Sequence, residues 1–109
     1  MNAPKFEWND LKNRINSKKH GISFEEASSV FYDENAILFD DPRHSKTEER
    51  FLIIGISRKA HVCIVSHCYR KNDDVIRIIS ARRATKQEIK AYNSQGGLKL
   101  WKRNITSRS

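Results

Sequence analysis

Residues 49–82, ERFLIIGISRKAHVCIVSHCYRKNDDVIRIISAR, hold three apolar runs, at about 49–57, 61–69 and 75–82, separated only by RKA and by a short polar link within RKNDDV. Runs of this length, rich in β-branched residues, form strands, and links this short join only antiparallel neighbours. The middle of the chain is therefore an antiparallel meander, and the remaining elements must pack against it.

Upstream, NDLKNRINSKKHG reads as a helix: Asn9 can cap it, Leu11 and Ile15 share a face, and Gly21 can end it. Lys18, Lys19 and His20 then sit at its C-terminus, where the helix dipole favours cations. Ser23 and Glu26 have capping-box spacing, and Phe24, Ala27, Val30 and Phe31 follow as one apolar stripe. PKFEW alternates as a short edge strand does, AILF is a further strand, and DDPRHSKTEE is polar enough for an exposed loop. Thr85 and Glu88 repeat the capping-box spacing and open a last helix running to about Asn93. The expected fold is α+β, with two N-terminal helices packed on a mainly antiparallel sheet and a C-terminal helix near its other face. Residues 1–95 make one domain, and 96–109 a basic tail.

With 109 residues, 38% hydrophobic and 31% charged, the chain can bury one modest core. FLIIGI is far shorter than the roughly 20 residues of a membrane helix, and MNAPKFEWN lacks a signal-peptide core, so a cytoplasmic location with no membrane partner is expected. Cys63 and Cys68, at odd spacing on one strand, point to opposite faces and cannot pair, as suits a reducing compartment. The net charge of +8 is unevenly spread: residues 1–81 carry 13 Lys and Arg against 12 Asp and Glu, whereas residues 82–109 carry 8 against 1. Such a concentration points to an acidic partner, nucleic acid or an acidic protein. The plain alternative is a tail kept for solubility.

Alternation along the strands separates two faces. Leu52, Ile54, Ile56, Val62, Ile64, Ile76 and Ile78 form one, expected to lie beneath the first two helices. Glu49, Phe51, Ile53, Val65, His67, Tyr69, Val75, Arg77 and Ile79 form the other. A Lys71–Asp73 loop pairs Arg70 with Asp74 and sets His67 opposite Arg77 and Tyr69 opposite Val75. The RKA link sets Phe51 opposite His67 and Glu49 opposite Tyr69. Glu49, His67, Tyr69 and Arg77 would then cluster, and a last helix folding back across this face would bring Tyr92 toward them. By the same parity Arg82 points to the core side and Arg83 returns to the polar face.

A carboxylate, an imidazole, a phenol and guanidiniums suffice to cut RNA without metal. Cleavage needs a base for the 2′-hydroxyl, an acid for the leaving 5′-oxygen and cations for the crowded phosphate. Arginine supplies a planar, permanently charged fork for phosphate oxygens. Each assignment has a structural competitor: Arg77 paired with Glu49 or Asp74, His67 hydrogen-bonded in the core, Tyr92 anchoring its helix, and His20 ending the first one. A zinc site from His61, Cys63, His67 and Cys68 is disfavoured, since no CxxC pair exists and same-face ligands on a strand lie about 6.6 Å apart.

FEWND, KHGISFEEA, DPRHSKTEERF, IGISR and IRIISARRATKQE followed by Tyr92 resemble, in order and spacing, the BrnT toxin family from Phe6 to about Asn93. That resemblance implies a bacterial type II toxin with a RelE-like ribonuclease fold, acting without a metal cofactor and suppressing translation. It also implies a BrnA-type antitoxin that binds DNA, so that DNA is reached only through the antitoxin. Of the family's pattern, Trp8, His20, Glu49, Arg50, Arg77, Arg82 and Tyr92 are present. Taken with the strand geometry, the expected catalytic set is Arg77, Arg82, Glu49, His67 and Tyr92. RNA and phosphate contacts are expected from Arg50, Arg83, Trp8, Tyr69 and Lys86. The rival class is a non-catalytic basic module that binds nucleic acid or protein.

Overall fold

The computed structural model describes residues 4–43 and 48–94. Strands β1 (Lys5–Glu7), β2 (Ile37–Asp40), β3 (Phe51–Ile56), β4 (Val62–Arg70) and β5 (Val75–Arg83) form one sheet in the order β1-β5-β4-β3-β2. Only β1 runs parallel to its neighbour, β5. Between β1 and β2 lie helix α1 (Asp10–His20), helix α2 (Phe24–Ser29) and a single 3-10 turn (Val30–Tyr32), and a last helix, α3, spans 86–94. The expected α+β class and element order hold. The basic tail 96–109 and loop residues 44–47 lie outside the described residues.

The local signals act as their chemistry requires. Asn9 Oδ1 accepts from the Lys12 N–H at 3.0 Å, and Gly21, at φ 71°, ends α1 by donating its N–H to the Ser17 carbonyl. Ser23 Oγ accepts from Glu26 N–H, but the Glu26 carboxylate does not close the box. It is buried, accepting from the Ser57 hydroxyl at 2.6 Å and from His61 Nδ1 at 2.7 Å, and so ties α2 to the β3–β4 turn. Burial opposes its ionisation, and these two hydrogen bonds more than offset that and hold its carboxyl below the usual range.

Leu11 and Ile15, which share a face of α1, are 58% and 55% exposed, so that face does not meet the core. The anchor of α1 is instead the buried Asn16. Strand β1 covers the edge of β5 only at residues 75–77, which leaves the backbone of Ala81 without a strand partner on that side. Asn16 takes the place of one: its Nδ2 donates to the Ala81 carbonyl at 2.8 Å and its Oδ1 accepts from the Ala81 N–H at 3.1 Å. A polar contact at the sheet edge, and not an apolar stripe, sets how the helix rotates.

Two further expectations are corrected. The first two helices cover the face expected to be polar: Ile22, Phe24, Ala27 and Val30 pack on Ile53, Cys63, Val65, Ile78 and Ala81. Ile54 and Ile64 lie on the opposite face against Tyr92, flanked by Leu52, Val62 and Ala84. Both faces of the central strands are apolar, so alternation separated the faces without revealing which one the helices cover. Fully burying each large apolar side chain contributes about 1.5–3 kcal/mol, and the layer under α1 and α2 holds most of them.

The register of β4 on β5 also differs. The connecting loop has four residues, 71–74, with Lys71, Asn72 and Asp73 all at positive φ, so Arg70 pairs with Val75, Tyr69 with Ile76, Cys68 with Arg77 and His67 with Ile78. Ser66 then pairs with Ser80, leaving Ile79 as a bulge. The expected pairing of Phe51 with His67 across β3 and β4 is present.

Candidate functional site

The bulge at Ile79 reverses the parity of β5 partway along. Arg77, Ser80 and Arg82 pair with Cys68, Ser66 and Ile64, residues that alternate regularly on β4, so all three point to the face opposite α1 and α2. Arg83, paired with Cys63, falls on the helix side. Arg82 and Arg83 keep the faces that parity gave them, those of Ile64 and of Val65, but the helices cover the Val65 face, and Arg77 leaves the face of Val65 and His67 for that of Arg82.

On this open face the C-terminal end of α1 meets the start of the β2–β3 loop and β5 around a groove of about 480 Å³. Lys19, Arg43 and Arg82 supply its cations, His20 an imidazole, and Ser66 and Ser80 its hydroxyls. Asp41, fully buried, organises one wall. It accepts from the Arg43 backbone N–H at 2.9 Å, from Arg43 Nε and Nη2 at 3.2 Å each, and from the Ser66 hydroxyl at 3.1 Å. Burial works against the Asp41 charge, but the Arg43 fork and the Ser66 hydroxyl outweigh it and hold the carboxyl below its ordinary value.

Arg82 forms the other wall. Its Nη1 and Nη2 donate to Glu88 at 2.7 and 2.8 Å, a bidentate pair, and Nη1 also reaches the Arg83 carbonyl. Glu88 closes a capping box on α3, accepting from the Thr85 N–H while the Thr85 hydroxyl accepts from its own. The hydrogen bonds from Arg82 bring the Glu88 carboxyl down to about 2. A guanidinium has five N–H donors, so Arg82 is fixed in place and keeps donors for a further anion.

Arg77 lies farther along the same face in a network of alternating charge. It donates to Glu7 at 2.9 Å, and Arg70 reaches Glu7 at 3.7 Å and Glu48 at 3.6 Å. Glu48 also accepts from Arg50 at 3.5 Å and from the Cys68 thiol at 3.3 Å. The partner of Arg77 is thus Glu7 on β1, not Glu49 or Asp74.

The expected cluster of Glu49, His67, Tyr69 and Arg77 does not assemble. His67 is fully buried on the helix side, edge-on to Phe31 with centroids 4.7 Å apart. Its Nδ1 lies 3.2 Å from the Val65 carbonyl, which can only accept, so Nδ1 carries the proton and Nε2 accepts from the Tyr69 hydroxyl at 3.2 Å. Burial lowers its pKa and keeps it neutral. Tyr92 lies over Ile54 and Ile64, away from Arg77, and donates to Asp33 at 2.5 Å. Burial, with the Asp33 carboxylate beside it, pushes the phenol up to about 12.

Trp8 is half-buried, edge-on to Phe24. Lys86 and Arg83 are exposed, and Glu49 is exposed on the link into β3. Sequence reasoning missed Asp41, Arg43, Ser66, Ser80 and Lys19 as groove residues. The one available signal was Asp41 directly before Pro42 and Arg43, an arrangement suited to a side chain folding onto its own turn.

No curated protein sequence matches the chain. Among solved structures it is similar to the Brucella abortus ribonuclease toxin BrnT, at TM-score 0.58 and 22% identity, covering 77% of this chain and 100% of that one. At that identity the likeness is one of fold. A family model described as "Ribonuclease toxin, BrnT, of type II toxin-antitoxin system" matches residues 8–88 and so takes in both walls of the groove, from α1 to Glu88. The chain therefore belongs to the BrnT family of ribonuclease toxins of type II toxin–antitoxin systems.

Proposed function

We propose that the groove between α1, the β2–β3 loop and β5 is where RNA is cut, without a metal cofactor. The carrying observation is that two arginines, each locked by a carboxylate fork, converge with Lys19 and His20 on a groove floored by Ser66 and Ser80. Fixed guanidiniums aimed at one point stabilise charge that develops on a phosphate, because no reorganisation is needed as the reaction proceeds. Arg43 and Arg82 hold the scissile phosphate in this reading. His20, a half-buried imidazole at the end of α1, moves the proton. Arg77, Arg70 and Arg50 continue the same face and carry the backbone of the flanking nucleotides.

His67 and Tyr92, both sequestered by their hydrogen bonds, act as positioning residues. Attack by the ribose 2′-hydroxyl on the adjacent phosphorus forms the new P–O bond, the P–O5′ bond breaks, and the 5′-oxygen leaves with a proton. The products are a 2′,3′-cyclic phosphate and a 5′-hydroxyl.

Family membership carries an RNA substrate and an antitoxin partner. Beyond that, cleavage suppresses translation in the cytoplasm, and a BrnA-type antitoxin covers the basic face. Incubation of the full chain with RNA in EDTA tests the chemistry. Fragments ending in 2′,3′-cyclic phosphate support it; intact RNA at stoichiometric protein, or cleavage that begins only on adding a divalent ion, refutes it.

A further inference from the structure

A second cavity, of about 800 Å³, opens where the C-terminal end of β4 meets the start of β3. Its chemistry is opposite to that of the groove. The rings of Phe51 and Tyr69 form one wall, with centroids 5.4 Å apart, and Glu48, Glu49, Cys68 and Arg70 lie around it. Both rings are half-buried, so each keeps surface toward the cavity. Tyr69 is held from behind: the buried His67 stands edge-on to it at 5.3 Å and takes its hydroxyl hydrogen bond.

Of the two glutamates, Glu48 is engaged by Arg50, Arg70 and Cys68. Glu49 has no hydrogen bond or ion pair to any of the described residues and is exposed. An aromatic wall beside an unengaged carboxylate is unsuited to phosphate and suited to a base, which stacks on the wall and offers N–H donors at its edge. Cys68 follows Ser66 on the groove's face of β4, whereas Phe51 and Tyr69 share the face of His67, so the cavity wraps round the end of the sheet next to the groove.

We propose that this cavity binds the base of a nucleotide flanking the cut and prefers guanine, with Phe51 and Tyr69 stacking the ring and Glu49 reading its edge. Guanine alone presents two adjacent donors, N1–H and N2–H, to the two oxygens of one carboxylate. Adenine and cytosine place an acceptor nitrogen beside their amino group, and uracil has one donor between two carbonyls, so each sets an oxygen or nitrogen lone pair against Glu49. This specificity rests on the ribonuclease reading of the neighbouring groove, but base binding can be measured without cleavage.

The test titrates the full chain with guanosine 3′-monophosphate and adenosine 3′-monophosphate, following the Tyr69 ring and Glu49 amide by NMR, and maps cut sites on a long RNA. The expected result is binding of the guanosine nucleotide about tenfold tighter or more, with shifts at Tyr69 and Glu49, and loss of that ratio in Glu49→Gln. Cuts should fall at one fixed offset from G. Equal affinity for the two nucleotides, shifts confined to other residues, or an unchanged ratio in Glu49→Gln overturns the proposal, even if RNA is cut. Selective guanosine binding with RNA left intact upholds the cavity and refutes the ribonuclease reading alone.

Discussion

Arg77 and Arg82 project from the same face of β5 although five positions separate them, because Ile79 bulges out of the ladder between them. Arg83, one residue on, falls on the helix side. A single unpaired residue thus decides which arginines share a surface. Each phosphate contact on single-stranded nucleic acid contributes about 0.7 to the slope of log affinity against log salt. Binding of a non-cleavable 2′-O-methyl RNA, followed by anisotropy across a salt series, should lose about that much slope in Arg77→Ala and in Arg82→Ala. Arg83→Ala should leave it unchanged, and equal effects from all three would show that the bulge does not partition them.

His67 makes stability depend on pH in a defined direction. Burial lowers its folded pKa below the unfolded value of about 6.5. The unfolded chain therefore takes the proton first, so the stability is complete above about pH 6.5 and falls as pH drops below it. Thermal melts at pH 7.5 and 5.5 should show a larger loss in the wild type than in His67→Phe. The pH dependence of cleavage should keep its position in the variant, and a shifted profile would return His67 to the proton-transfer machinery.

Asn16→Ala should destabilise the domain by about 2–4 kcal/mol. The substitution strands the buried N–H and carbonyl of Ala81 and removes a third hydrogen bond, from Nδ2 to the Ile22 carbonyl at 3.0 Å. Urea denaturation measures the change, and a loss below about 0.5 kcal/mol would mean that water takes over those groups.

Much of this fold can be read from local chemistry. Short links specify the antiparallel meander, and Asn9, Gly21, Ser23 and the Thr85–Glu88 pair mark helix ends that the structure retains. What local chemistry does not carry is the tertiary choice between two apolar faces, or a bulge that costs nothing in composition. The four-residue loop at 71–74 moved His67 away from Arg77, and with it went the expected catalytic cluster, while the unpaired Ile79 put Arg82 on the face of Arg77. The groove was hidden for a related reason. Its residues come from α1, the β2–β3 loop, β4 and β5, and Asp41, which orders one wall, reads in sequence as part of a polar loop.

The most direct measurement is single-turnover cleavage of RNA in EDTA by the wild type and by His20→Gln. His20 is the last residue of α1 and lines the groove, and glutamine there keeps the helix and removes the group able to take up and release a proton. A positioned general acid or base is worth about 10²–10⁴ in rate. The expected result is a loss within that range, with the wild-type melting temperature nearly retained and RNA still bound. Cleavage by His20→Gln at the wild-type rate would contradict the placement of the reaction in this groove.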